Sequence, residues 1–407
     1  MCGRIKGVLY IILMMLLAGV TLEAQAQSAG SLTSFYVASN NTVHFFYVKG
    51  SHVFDAYSPS CCSDISGWTV QDITAASNGA PVAAAITGFY RDAAYPEHIF
   101  FLDSNGHVHE LWSDSTAAWH DSDLTASAGG TPAGSTYLTS FYRDATYPEH
   151  VFFQAGNGHI HELWSDSTAA WHDSDLTASA SGTVAVAGTS LTSFYWDETY
   201  PEHVFFQDGS GHIHELWSDS TAAWHDHDLT QITGSGAQTY PGTGLTSFYA
   251  GGNAPEQVIY ENGTSATNAN GGGTIHEMWL DSAGAWHDLN LTALTNAPVM
   301  DTVTPVSGFS TNDGNPNHAF YIDSQGSVHE MWFSSGNNTW HDDIVSPGSV
   351  PGVYADPVAL TALSLNGSSS ETVFDYHKST SVPSFTGLGG AVSSSGGWSG
   401  YDYLPTY

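Results

Sequence analysis

Positive charge is scarce in this chain. Its 407 residues include six Lys and Arg against 40 Asp and Glu, for a net charge of −34 at pH 7 with histidine neutral. So acidic a surface repels phosphate backbones and anionic headgroups, which argues against nucleic-acid and anionic-membrane partners. Cysteine is nearly absent: Cys2, Cys61 and Cys62 are the three present. Adjacent cysteines make an ordinary disulfide with each other geometrically hard. With no disulfide framework, the chain must rely on its core. No window shows a convincing 3.6-residue period, so few helices are expected. Long apolar runs are missing after the N-terminus, where Val8–Val20 follows Arg4 and Lys6 and precedes the small-x-small site Ala24-Gln25-Ala26. That run is too short for a comfortable membrane span, so residues 1–26 are predicted to be a cleaved secretory signal. The expectation is a protein without membrane insertion, secreted to an extracellular or periplasmic space. Beyond residue 26 only Lys49, Arg91, Arg143 and Lys378 carry fixed positive charge.

Catalytic signatures are also absent. There is no Gly-x-Ser-x-Gly, His-Glu-x-x-His, P-loop or dinucleotide fingerprint. No carboxylate pair stands in one repeat and is missing from the others, as a single glycosidase centre would require. The sequence is therefore read as a non-enzyme.

What the chain has in abundance is self-similarity. Leu138-Thr-Ser-Phe-Tyr142, Glu149-His-Val-Phe-Phe-Gln154, Ile160-His-Glu-Leu-Trp164 and Trp171-His-Asp-Ser-Asp175 recur almost word for word from Ile86 and Leu191, and more loosely from Leu32, Leu245, Val306 and Leu360. A period of about 50 residues marks a repeat architecture. Each repeat reads as four short strands rich in Val, Ile, Phe, Tyr and Trp, separated by Gly- and Asp-containing turns. Four antiparallel strands repeated around a ring predict an all-β, seven-bladed β-propeller occupying residues 31–405 as one domain. The fourth-strand tryptophans Trp68, Trp119, Trp171, Trp224, Trp286, Trp340 and Trp398 count the blades. A two-sheet sandwich or a solenoid is the alternative architecture. Linkers such as Ala178–Thr183 are read as crossings between blades, and Thr264–Gly273 as an inserted surface loop.

The third strand carries the chemistry. His-Glu-Leu/Met-Trp occurs five times, with Glu110 and Trp112, Glu162 and Trp164, Glu215 and Trp217, Glu277 and Trp279, and Glu330 and Trp332. Alternate side chains on a strand share a face, so each Glu and Trp point into the same seam between blades. An indole face beside a carboxylate suits a sugar, since the ring stacks on C–H bonds while the carboxylate accepts from hydroxyls. The competing reading is structural: tryptophans packed between blades, with histidine and glutamate satisfying each other. Pairs such as His159 and His161 share a face and could bite one ion. Two histidines leave zinc short of ligands, and Thr274 and Ser327 replace the first histidine in later repeats. No metal site and no cofactor is expected.

These motifs resemble the blades of the fucose-specific β-propeller lectins, both the fungal fruit-body type and the bacterial seven-bladed type, from Leu32 to Tyr403. The resemblance implies sugar pockets between adjacent blades, a third-strand glutamate matching Glu110, Glu162, Glu215, Glu277 and Glu330, and an aromatic from the neighbouring blade. The family's second-strand arginine is replaced here by His98, His150, His203 and His318, with Gln257 in the fifth repeat. Imidazole and amide can still donate to a hydroxyl. The resulting expectation is a multivalent carbohydrate-binding protein for fucosylated or related glycans, with Glu162 as acceptor, His150 as donor and Trp164 or Tyr147 as aromatic wall. Tyr95 and Tyr200 are the equivalents of Tyr147. The alternatives are a glycosidase or sialidase-like propeller and a protein-binding scaffold.

Overall fold

The computed structural model describes residues 32–37, 40–58, 68–236, 238–252, 254–263, 273–301, 305–311, 316–346, 357–364, 371–377, 388–393 and 398–401. Residues 1–26, predicted as a signal, Cys61 and Cys62, and residues 264–272 of the expected inserted loop lie outside them. The described strands form seven four-stranded antiparallel sheets in sequence order. These sheets span 32–72, 84–123, 133–175, 192–228, 245–290, 307–346 and 357–401. Side chains are described through the first six; in the seventh, mainly the backbone pairing is. The all-β propeller architecture expected from the repeats is the one observed.

The repeat's opening words build the hub. The first strands are β1 (Leu32–Val37), β5 (Ala84–Tyr90), β9 (Ala133–Tyr142), β13 (Thr192–Tyr195), β17 (Leu245–Tyr249), β21 (Ser307–Ser310) and β25 (Pro357–Ser364). Each lies against the next, and β25 against β1. Thr and Ser at this point of the first strands link hydroxyl to hydroxyl along part of this ring: Thr87 with Ser140 at 3.0 Å, Thr139 with Ser193 at 2.8 Å and Thr192 with Ser247 at 3.0 Å. Ser34 and Thr361, at 2.9 Å, close it. All seven strands line a central cavity of about 210 Å³.

Outside the hub, consecutive residues of the second strand serve opposite neighbours. In β10 (Glu149–Ala155), Phe152 packs with Ile160 and Leu176 against Val204, Phe206 and Leu216 of the fourth blade. Phe153 and Val151 face Phe100, Leu102 and Val108 of the second blade. Both faces are buried, so apolar runs replace the alternation of a half-solvated sheet. A fully buried Phe of this kind contributes on the order of 1.5–3 kcal/mol.

The blade linkers depart from expectation. Ala178–Thr183 and its equivalents are not plain crossings. Each begins as a five-residue helix: α1 (Ile73–Ser77), α2 (Leu124–Ala128), α3 (Leu176–Ala180), α4 (Leu229–Thr233) and α5 (Leu291–Thr295). The motif Asp-Leu-Thr, with Asp-Ile-Thr in α1 and Asn-Leu-Thr in α5, explains them. Asp175 caps α3 by accepting from the Ala178 amide at 2.8 Å, which supplies one of the four orphan donors of a helix start. Leu176 is buried, and the Thr177 hydroxyl accepts from the Ile160 amide of the third strand at 2.9 Å. Too few residues are involved for a helical period to show.

Candidate functional site

Each His-Glu-Leu-Trp strand places its Glu and Trp toward the following blade, as strand alternation requires. In the third blade, β11 (Ile160–Ser165) pairs His150 opposite Trp164 and Phe152 opposite Glu162. His150 Nδ1 and Glu162 Oε1 share a hydrogen bond of 2.5 Å, both side chains being buried. His98 and Glu110 repeat it at 2.5 Å, His203 and Glu215 at 2.7 Å, and His318 and Glu330 at 2.7 Å. Nε2 of His150 lies 3.2 Å from the Tyr147 carbonyl. Both ring nitrogens are thus engaged within the protein, and a histidine free to donate to a bound hydroxyl does not fit this geometry.

Residues that the sequence reading left out complete the cluster. Glu149 and Glu202, from the Tyr-Pro-Glu-His segment of the next blade, approach His98 Nδ1 at 3.5 Å and His150 Nδ1 at 3.7 Å. Arg91 donates to Glu149, and Arg143 to Glu202, each through NH1 at 2.6 Å. These arginines come from the turn after the first strand and restore a guanidinium to the pocket by another route. Arg143 also stands over the Tyr147 ring, 5.1 Å from its centroid. The signal was present in sequence: Pro-Glu stands at 96–97, 148–149, 201–202 and 255–256.

The electrostatics follow from burial. Glu162 is pushed up to about 8, chiefly by desolvation, against a smaller opposing pull from Arg143. Glu110 is likewise pushed up to about 8. Glu202 rises to about 7 through burial and repulsion from Glu162. His150 is lowered by burial, with Arg143 adding to the effect. Near neutral pH the network therefore sets one guanidinium against carboxyls that burial keeps only partly ionised.

Above this floor lies a cavity of about 540 Å³ between the third and fourth blades, lined by Arg143, Tyr147, Glu162, Trp164, Glu202 and Trp224 among others. Trp164 is held flat: it stacks on His172 with centroids 4.2 Å apart, and its Nε1 donates to Ser174 at 3.0 Å. Tyr147 meets Trp164 edge-on at 5.8 Å and is exposed at the rim. Trp224 comes from the fourth strand of the next blade, so at least one tryptophan counted as blade packing also walls a pocket. Trp112 and Trp217 repeat the 4.2 Å stack on His120 and His225, and Trp279 and Trp332 repeat it on His287 and His341.

The copies are not equivalent. Between the fifth and sixth blades the Trp340 indole donates to Glu277 at 3.1 Å. Gln257 turns to the Ala254 carbonyl at 3.1 Å. Glu330 and Trp332 face the seventh blade, whose side chains are largely outside the description. The His-x-His pairs have their own carboxylates: His159 Nδ1 lies 2.8 Å from Asp175 and His161 Nδ1 2.9 Å from Asp173.

No protein-family model matches the chain, and no curated protein matches it. Solved structures do. The likeness is to β-propeller lectins. BP39L lectin from Burkholderia pseudomallei aligns over 93% of this chain and 99% of its own, with a TM-score of 0.66 and 18% identity. The fucose-specific lectin from Aleuria aurantia covers 80% of this chain and 98% of its own, at a TM-score of 0.53 and 15% identity. AofleA from Arthrobotrys oligospora covers 78% and 84%, at 0.52 and 14%. At such identities the likeness is one of fold.

Proposed function

We propose that the chain is a secreted, multivalent carbohydrate-binding protein, a lectin without catalytic activity, whose sugar pockets lie between adjacent blades. The observation that carries this reading is the cavity between the third and fourth blades. It combines a guanidinium, two carboxyls and a flat, hydrogen-bonded indole within one concave site. Arg143 supplies donors to ring hydroxyls, and Glu162 or Glu202 supplies an acceptor. Trp164, Tyr147 or Trp224 takes the C–H face. His150 acts through Glu162, which it positions. The second and third blades enclose the equivalent Arg91, Glu110, Trp112 and Glu149. Repetition of such a site favours avidity over chemistry. Fucose or a related sugar is the first candidate, because the Aleuria aurantia lectin is described as fucose-specific and SapL1 lectin is known in complex with α-methyl fucoside. Export through residues 1–26 belongs to the same proposal.

A glycan array followed by calorimetry with methyl α-L-fucoside tests it. The expected result is a narrow set of bound glycans and more than one site per chain, with Glu162→Gln removing one of them. A blank array, or affinity unchanged across Gln substitutions of Glu110, Glu162, Glu215, Glu277 and Glu330, would overturn the pocket assignment.

A further inference from the structure

Among the differences between the fourth inter-blade pocket and the third, three surround the buried carboxyl cluster. Where Arg91 and Arg143 neutralise the incoming glutamate, Trp196 stands. Where Ser122 and Ser174 receive the indole proton of Trp112 and Trp164, His227 stands. Where Ser113 donates to Glu97 in the second blade, the fifth blade has Leu280. The incoming glutamate here is Glu256, 3% exposed, and it has no guanidinium beside it. Its Oε2 has no hydrogen-bond partner, and neither has the Trp217 Nε1 beside it. Two buried carboxylates, Glu215 and Glu256, thus face two imidazoles without a fixed cation. Buried carboxylates in that state require a counter-charge.

We propose that this pocket binds a divalent transition metal of the zinc class, with His203 Nδ1, His227 Nδ1, Glu215 and Glu256 as ligands. His203 Nδ1 lies 2.7 Å from Glu215 Oε1 and 3.3 Å from Glu256 Oε2; His227 Nδ1 lies 3.4 Å from Glu215 Oε2. Four ligands held tetrahedrally at about 2.0–2.1 Å from zinc stand roughly 3.3–3.4 Å from one another. The His203–Glu256 contact already has that length, the His203–Glu215 hydrogen bond is one that the ion would replace, and His227 approaches from the other oxygen of Glu215. Nε2 of His203 lies 3.2 Å from the Tyr200 carbonyl. A carbonyl in that place fixes the proton on Nε2 and turns the Nδ1 lone pair inward, the outer-shell contact that metal-binding histidines characteristically make. The ligands line a cavity of about 700 Å³, so an ion has a path in. Arg91 and Arg143 block the equivalent position in the two preceding pockets, each lying 2.6 Å from the glutamate.

Metal binding would displace the protons that these side chains share in the metal-free protein, so affinity is expected to rise with pH. None of this depends on the sugar reading, because the ligands and the missing guanidinium belong to this interface alone.

Titration of the chelator-treated protein with Co²⁺ tests the assignment through visible absorption. The expected result is one equivalent bound with the intense bands of a tetrahedral site and displaced by Zn²⁺. Glu256→Gln and His227→Ser each weaken it at least tenfold. Trp196→Arg, which writes the third pocket's guanidinium into the fourth, abolishes it. His212→Ser, in the separate Asp208, His212 and His214 group, leaves it unchanged. Near-ultraviolet circular dichroism on each variant confirms the fold, and Trp196→Arg keeps the test open should a ligand variant fail to fold. Absence of the tetrahedral bands, their survival in both ligand variants, or their loss in His212→Ser would overturn the proposal.

Discussion

Arg143→Met removes the guanidinium from the third inter-blade pocket while keeping most of the side chain's apolar volume. Glu202 is then left buried beside Glu162, with the His150 imidazole 3.7 Å away. Breaking a fully buried pair costs about 3–5 kcal/mol, most of it the unpaired charge that remains. The Arg143 side chain is 19% exposed, so solvent screens part of that loss, and a cost of about 2–3 kcal/mol is expected. The double variant Arg143→Met/Glu202→Gln has no stranded charge and should recover most of it, a coupling of about 2 kcal/mol in a double-mutant cycle. Loss of Arg143 raises the folded-state pKa of Glu202 above its present value of about 7. A group raised in the folded state contributes stability below its unfolded pKa and loses it as pH rises. The deficit should therefore shrink toward pH 4.5 and widen toward pH 8. Urea denaturation at both pH values measures it. A cost under about 0.5 kcal/mol, or a deficit that is larger in acid, would refute the claim that Arg143 holds the Glu202 charge.

Wild-type stability should itself fall as pH rises from about 7.5 through 8 and level off above about 9. Glu110, Glu162 and Glu277 are each pushed up to about 8 by burial. Above pH 4.5 the unfolded chain gives up these protons while the folded chain keeps them, so stability is lost as pH climbs through 8. His98 and His150, lowered by burial, are neutral in both states above about pH 7.5 and do not oppose the trend. Calorimetry across this range should show a falling Tm, and a flat or rising one would show that these carboxyls are ionised in the folded state. At the hub, Thr192→Val removes the hydroxyl that meets Ser247 Oγ and accepts from the Ser247 amide at 2.9 Å. Stranding those groups should cost about 1–3 kcal/mol by urea denaturation, and a neutral result would mean that the hydroxyl ring does not bind the first strands together.

The architecture was legible because its signals repeat. A four-strand unit with Thr-Ser in the first strand and Trp in the fourth leaves few arrangements that bury both faces of every strand. The site was half legible. Alternation along Ile160–Ser165 correctly placed Glu162 and Trp164 in one seam. It could not show that His150 sits on Glu162, because that contact joins neighbouring strands. Glu202 and Arg143 escaped for a different reason. Tyr-Pro-Glu-His looks like a turn, and an arginine two repeats share looks like drift, until the ring brings a turn of one blade against the second strand of the next. The short helices escaped because five residues cannot display a period, although Asp-Leu-Thr carried their cap and their buried face.

A ring of near copies supplies its own controls. The third and fourth blades agree at almost every position of the four strands, so fold requirements cannot account for the positions where they differ. Trp196 and His227 are two such positions, and they lie against the same pair of carboxylates. There the guanidinium gives way to an indole, which leaves the carboxyls without a fixed cation, and a hydroxyl gives way to an imidazole, which adds a nitrogen donor. The fifth pocket shows the contrasting outcome, where Trp340 donates to Glu277 and covers it. Two buried carboxyls beside a new imidazole and without a guanidinium make the fourth pocket chemically distinct from its neighbours, so the sites of this propeller are not interchangeable copies of one sugar pocket.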